Sequence, residues 1–335
     1  MDGRGRRAWL GRGAAAVALL MLLVSCGCQR GGEQNGDRGT QPTPSPSPTA
    51  SPFTGEAGVR AGPVLAVKVD NVRPARPHTG VEDADLVYVE RVESGLSRLV
   101  AVYSGRLPDR VGPVRSARES DLELLEQFGR PALGYSGVQS RLRPLLEGAP
   151  LYPVPPSAAP DAYTRGAGRP APHNLYLRPS AVLAAAPQAS TAADIGLVFD
   201  KRRPTGGEAR ERHTVRFPAA SFGFEWSSGE GRWLVSFDGE PAVGTAGVRL
   251  SAATVVVQYV TVRGSDFRDR GGNVTPYTET VGTGDALVLR DGRAFEARWE
   301  RPTASVGTRF SSPDGSPLPF AVGPVWFVLA EAGRD

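Results

Sequence analysis

Past residue 212 the chain carries no 3.6-residue apolar repeat, and this excludes a helical second half. Short β-type runs recur instead, at 214–217, 222–226, 232–237, 254–263, 286–290, 294–299, 308–311 and 325–329. Asp238-Gly239, Asp291-Gly292 and Pro313-Asp314-Gly315 fall between runs, and Asp-Gly pairs favour the positive φ of tight turns. Asp291-Gly292, with Leu287 to Arg290 before it and Arg293 to Glu296 after it, reads as a two-residue hairpin. Residues 212–332 are therefore expected to form a small all-β sandwich or open barrel.

The part before it mixes element types. Residues 64–69, 86–93 and 98–104 read as strands, and Ser94-Gly95 folds the last two into a hairpin. In the stretch 111–121, Gly112-Pro113 marks a turn, and Ser116 with Glu119 three residues on has the capping-box pattern. Leu122, Leu125 and Phe128 follow at helical spacing, so Ser116 is expected to cap a helix. Arg115 and Arg118 then sit at the positive end of the helix dipole. Two cations there oppose the dipole unless carboxylates or a bound anion offset them. A short strand at 132–135, helices at 139–146 and 180–186, and a Pro/Gly/Ala-rich loop at 150–172 complete the segment. This order predicts an α/β or α+β N-terminal domain over 63–198, joined by a polar connection to the β-rich domain.

The N-terminus reads as an export signal. Arg4, Arg6, Arg7 and Arg12 precede an apolar run at 14–24, which is shorter than the ~20 residues a bilayer span needs. The run ends in Leu23-Val24-Ser25-Cys26, which resembles the lipobox of bacterial lipoproteins, with Cys26 as the lipidated residue after removal of 1–25. Arg6-Arg7-Ala8-Trp9-Leu10 also resembles a twin-arginine motif; general secretion and twin-arginine export both remain open. Residues 26–62 are rich in Pro, Ser, Thr and Gly and are expected to be a disordered tether, polyproline-like at 41–49. The protein is thus expected outside the cytoplasm, anchored to the membrane by lipid on Cys26. Of 39 basic and 35 acidic residues, the leader removes four and one, leaving 35 against 34, a net +1. A chain so balanced gives no electrostatic case for nucleic acid.

Several motifs occur together: Lys68-Val69-Asp70-Asn71, Arg76-Pro77-His78-Thr79-Gly80, Ala84 to Tyr88, Glu93 to Arg98, Gly112 to Glu119, and Pro172-His173-Asn174-Leu175-Tyr176. Jointly they resemble the YerB-like lipoproteins, a domain-of-unknown-function family numbered 3048. Val255 to Gln258 and Gly282 to Asp285 match in the second half. The resemblance runs from about Pro63 to Leu329. It implies an envelope lipoprotein with an N-terminal domain and a β-rich C-terminal one, and implies no reaction.

The candidate site gathers polar residues of the first domain: Asp70, Asn71, Arg76, His78, Glu90, Glu93, Arg98, Arg115, Arg118, Glu119, His173 and Asn174. Guanidinium forks match carboxylate or phosphate, so Arg115 and Arg118 can clamp an anion such as a cell-wall fragment, or an envelope protein. Alternatively Glu90, Glu93 or Asp121 pairs with them and the cluster only stabilises the fold. A third reading is an envelope hydrolase with His78 or His173 as base. Glu90 with Glu93, or Glu119 with Asp121, would serve glycoside chemistry only at set carboxyl separations. No His-Glu-x-x-His, cysteine cluster, Walker loop or dinucleotide fingerprint is present, so no metal or cofactor is expected.

Overall fold

The last strand of the chain lies in the middle of its largest sheet. In the computed structural model, which describes residues 50–269 and 271–333, Val325–Glu331 pairs in parallel with Leu86–Arg91 on one side and Thr254–Val260 on the other. Beyond Leu86–Arg91 the sheet continues through Ser97–Tyr103, Leu65–Asp70, Ala132–Gly134 and Tyr152–Val154. Beyond Thr254–Val260 it continues through Gly282–Arg290, Arg293–Arg301 and Arg309–Ser311. The boundary near 198–212 therefore divides the sequence but not this sheet. The described residues from 50 onward form one compact unit.

Val325 to Ala330 are all buried, as expected of a strand covered on both faces. Val67, Val89, Leu99, Val257 and Trp326 pack against Phe222, Phe224, Trp233 and Phe237. Those aromatics come from a smaller sheet made of Arg212–Phe217, Ala220–Ser227, Arg232–Phe237, Glu240–Pro241 and Ser251–Ala252. The sandwich thus forms between the small sheet and the large one. On the opposite face Ala66, Tyr88, Val100 and Phe327 pack against Leu124, Leu125 and Phe128 around the helix Glu119–Glu126. The fold is a mixed sheet in the N-terminal part and a strand-rich C-terminal part, as the sequence predicts. Asp291 and Gly292 take φ of 50° and 69° between paired Arg290 and Arg293, the two-residue hairpin expected there.

Order begins earlier than composition suggests. Phe53 is fully buried, edge-on to Phe128 at 5.4 Å, and the Thr54 carbonyl accepts from Gly323 N–H at 2.8 Å. Residues 50–62 are therefore part of the fold and not of the tether. One aromatic ring in a polar tract suffices, because the helix face offers it a pocket. Cys26, the leader and residues 27–49 lie outside the described residues. Among the described residues no helix is long and apolar enough to cross a membrane.

A second difference concerns 254–263, read as one strand. It is two: Thr254–Val260 stays in the large sheet, while Val262–Arg268 leaves it to form a separate ribbon with Val274–Thr278.

Candidate functional site

Register places charge at the strand ends. Arg98 lies opposite Asp70 on one side and opposite Glu90 on the other. Alternation then puts Lys68, Asp70, Glu90 and Arg98 on the face that carries the Glu119–Glu126 helix.

The deepest of these groups form a closed set. Lys68 Nζ donates to Glu90 Oε1 and to Asp121 Oδ1, the latter at 2.7 Å, and all three side chains are sealed from solvent. Asp121 Oδ2 accepts from the Arg118 backbone N–H at 2.6 Å. Burial first, and then the neighbouring Asp121 charge, push Glu90 up to about 8, so it holds a proton at neutral pH. The set then carries one cation and one anion. It pins the helix start to the sheet and leaves Glu90 no access to a ligand.

The helix runs Glu119–Glu126 with Arg118 as its N-cap, not Ser116. Ser116 precedes the cap by two residues, and the carboxylate that reaches back to the cap is Asp121 rather than Glu119. Glu119 instead accepts from Ser265 Oγ at 2.5 Å, on the ribbon. With Glu90 sealed and Glu119 so engaged, neither carboxylate pair considered for glycoside chemistry stands open.

Beside this set lies a cleft of about 690 Å³, lined among others by Asp70, Glu93, Arg98, Arg115, Arg118, Arg165, Arg268 and Asp269. Five guanidiniums face three carboxylates there, an excess of two cations. Arg118 spends its fork on Glu93, Nε to Oε1 and Nη2 to Oε2 at 2.8 Å each. Glu93 Oε1 also accepts from Thr275 Oγ1 at 2.8 Å, and these donors hold its carboxyl below the ordinary value against the opposing effect of burial. Arg115 Nε lies 3.0 Å from Asp70 Oδ2 but off hydrogen-bonding line, so that nitrogen is left unsatisfied. Arg98 is 8% exposed and has no carboxylate within 4.0 Å among the described residues. Its Nη1 reaches only the Ser116 carbonyl, at 3.3 Å. Burial, and then Arg118 and Arg115, lower its pKa to about 10, which leaves it a cation at neutral pH.

His173 Nδ1 meets the same Asp70 oxygen at 2.8 Å. Asn174 holds the long loop: its Oδ1 accepts from Arg165 Nη1 at 2.7 Å, and its Nδ2 donates to the Gly166 carbonyl at 3.0 Å.

Besides Glu90 and Glu119, three further residues expected in the site lie away from the cleft. Arg76 binds the Asn71 carbonyl and side chain and reaches Asp238 Oδ2 at 2.8 Å, tying the 71–78 loop to the small sheet. Asn71 Nδ2 donates to Ser97 Oγ at 3.0 Å. His78 is fully buried with its ring edge-on to Phe237 at 5.5 Å. Strand pairing turns this loop toward the small sheet, away from the arginines.

Sequence reasoning missed Ser136, Gln139, Arg165 and the ribbon residues Phe267, Arg268, Asp269 and Thr275, all of which line the cleft. Only Arg165 had a signal, its place in the long loop. Among the described residues no group of three or more His, Cys, Asp or Glu can hold a metal.

Two family models match the chain, the N-terminal domain of protein of unknown function DUF3048 over residues 49–192 and its C-terminal domain over 213–327. A relative from Bacillus subtilis (strain 168), named "Putative lipoprotein YerB", is 31% identical over 129 residues. That match spans 38% of this chain and 39% of the relative's length. The crystal structure of the YerB protein from Bacillus subtilis shares the fold, with a TM-score of 0.70 at 21% identity, over 84% of this chain and 96% of that one.

Proposed function

This chain belongs to the DUF3048 family, and we propose that it is a lipoprotein of the cell envelope, anchored through Cys26, whose arginine cleft binds an anionic ligand. Cell-wall material is the ligand class proposed, since it would present carboxylates and phosphates to an anchored protein. One observation carries the reading. Among the described residues Arg98 is a buried cation with no carboxylate within 4.0 Å, Asp70 and Glu93 acting on it only from farther off, and a buried cation so weakly paired costs free energy that a bound anion would offset. A carboxylate or phosphate between Arg98 and the terminal nitrogens of Arg115 would do so bidentately. Arg118 acts as a wall, because Glu93 already occupies its fork.

The test uses the chain from Pro46 onward and purified cell-wall material. Cosedimentation of the wild type, lost in Arg98→Met with the melting temperature kept, supports the reading. Equal cosedimentation of both proteins removes it.

A hydrolase reading rests on a different contact. Asp70 fixes His173 through Nδ1, as a carboxylate orients a catalytic imidazole. Release of soluble fragments from the same wall material, abolished in His173→Gln, would support that reading; retention without release supports binding alone.

A further inference from the structure

Two further hollows continue the surface on which the arginine cleft opens. One of about 330 Å³ adjoins the cleft, with Val72, Leu96 and Ser97 in the walls of both. Arg73 and Arg76 then pass from its walls into those of a third hollow, of about 420 Å³, along residues 240–243 of the small sheet. The cleft and the third hollow share no wall residue, so the three lie in a row with the smallest in the middle. Each has the volume of a pocket for one small molecule, and their succession suits a ligand of several linked units. Taken as spheres they are roughly 9–11 Å across. A chain through all three spans roughly 25–30 Å, about eight extended residues.

Charge changes along the row. The cleft has its excess of two cations, with Arg98 buried among them. In the middle, Arg76 is paired with Asp238 at 2.8 Å, while Arg73 is exposed and forms no ion pair among the described residues. The third hollow has no surplus cation. Asp238 and Glu240 offset Arg73 and Arg76 at its inner end, and Phe237, Pro241, Ala242 and Val243 give it an apolar wall. A polymer charged at every unit would set anions against that wall and against Glu240. A chain with an acid at one end and an apolar side chain at the other matches the whole row.

We propose that the row binds one extended peptide, its carboxylate in the cleft between Arg98 and Arg115, its backbone passing Arg73, and an apolar side chain in the hollow that Phe237 and Val243 line. This rests on the anion reading above and narrows the wall material to its peptide chains.

The probe is a fluorescent synthetic peptide of about eight residues, glutamate at one end, leucine at the other and alanine between, titrated into the chain from Pro46 onward. Binding should be saturable and at least tenfold tighter than that of the acidic half alone. Arg98→Met should weaken it at least tenfold. So should Val243→Asp, at a position already 36% exposed, with the melting temperature kept. Soluble wall fragments should displace the probe, and the same fragments stripped of peptide by an amidase should not.

Weakening in Arg98→Met alone keeps the anion reading but overturns the row, and weakening in neither variant overturns both. Equal displacement by the stripped fragments overturns the proposal in favour of a phosphate or glycan chain. No displacement by the intact fragments overturns it too, since the peptide would then belong to a protein and not to the wall.

Discussion

Arg118 meets Glu93 at two points, Nε to Oε1 and Nη2 to Oε2, each at 2.8 Å. A cation at a helix start suggests a ligand, yet here the counter-ion is built in. Arg118→Ala leaves a buried carboxylate with Thr275 as its remaining side-chain donor. The expected loss is about 3 kcal/mol in chemical denaturation. Arg118→Lys should recover only part, since an ammonium cannot reproduce the fork.

Lys68 compensates the Asp121 carboxylate and donates to the protonated Glu90. Lys68→Met is expected to lose about 3–5 kcal/mol, because the Asp121 charge is then left uncompensated in the interior and Glu90 loses its donor. Replacing all three by apolar residues of similar volume should restore most of it. Denaturant midpoints of the single and triple variants check this, and a triple variant no better than the single one contradicts it.

Two buried groups give opposite pH dependences. Glu90 is raised from 4.5 to about 8, so its contribution is full below 4.5 and lost as pH rises through about 8. His78 is lowered from 6.5 to about 4, so its contribution is full above 6.5 and lost as pH falls through about 4. Between pH 6.5 and 8 only the first acts, and the melting temperature should decline there. Glu90→Gln should flatten that alkaline decline and keep the acid-side loss. Melting curves of both proteins at half-unit pH steps decide it; an unchanged alkaline slope in the variant rules the assignment out.

Phe53 predicts where the folded part starts. Phe53→Ala should cost about 3–5 kcal/mol, the usual loss for a fully buried ring. A chain begun at Pro63 should melt well below one begun at Pro46. Equal melting temperatures would mean that residues 50–62 add nothing.

The strands were legible because each carries its own local signal: apolar runs, Asp-Gly hairpins, a Gly-Pro turn before the helix. What stayed hidden depends on contacts far along the chain. Nothing near Val325 announces that it will pair with Leu86, and nothing near Thr275 announces Glu93. The charged residues were found, but not their partners. Whether Arg98, Arg115 or Arg118 keeps a carboxylate follows from register and from where Glu93 ends up after its strand. His78 stood with Arg118 among the candidate site residues; the loop that carries it turns to Phe237 because the small sheet offers an aromatic surface there.

Arg98 keeps its charge for a ligand on this reading, which a binding titration tests. It is tested most directly by titrating the chain from Pro46 onward with soluble anionic fragments released from cell-wall material, wild type against Arg98→Met. The wild type should bind saturably and more weakly as salt rises, and the variant at least tenfold more weakly. The ligand-free variant should melt at the same temperature or higher, since a buried charge without a partner has been removed. Binding that is unchanged in Arg98→Met, or a variant that melts markedly lower without ligand, would make Arg98 part of the scaffold and not of a ligand site.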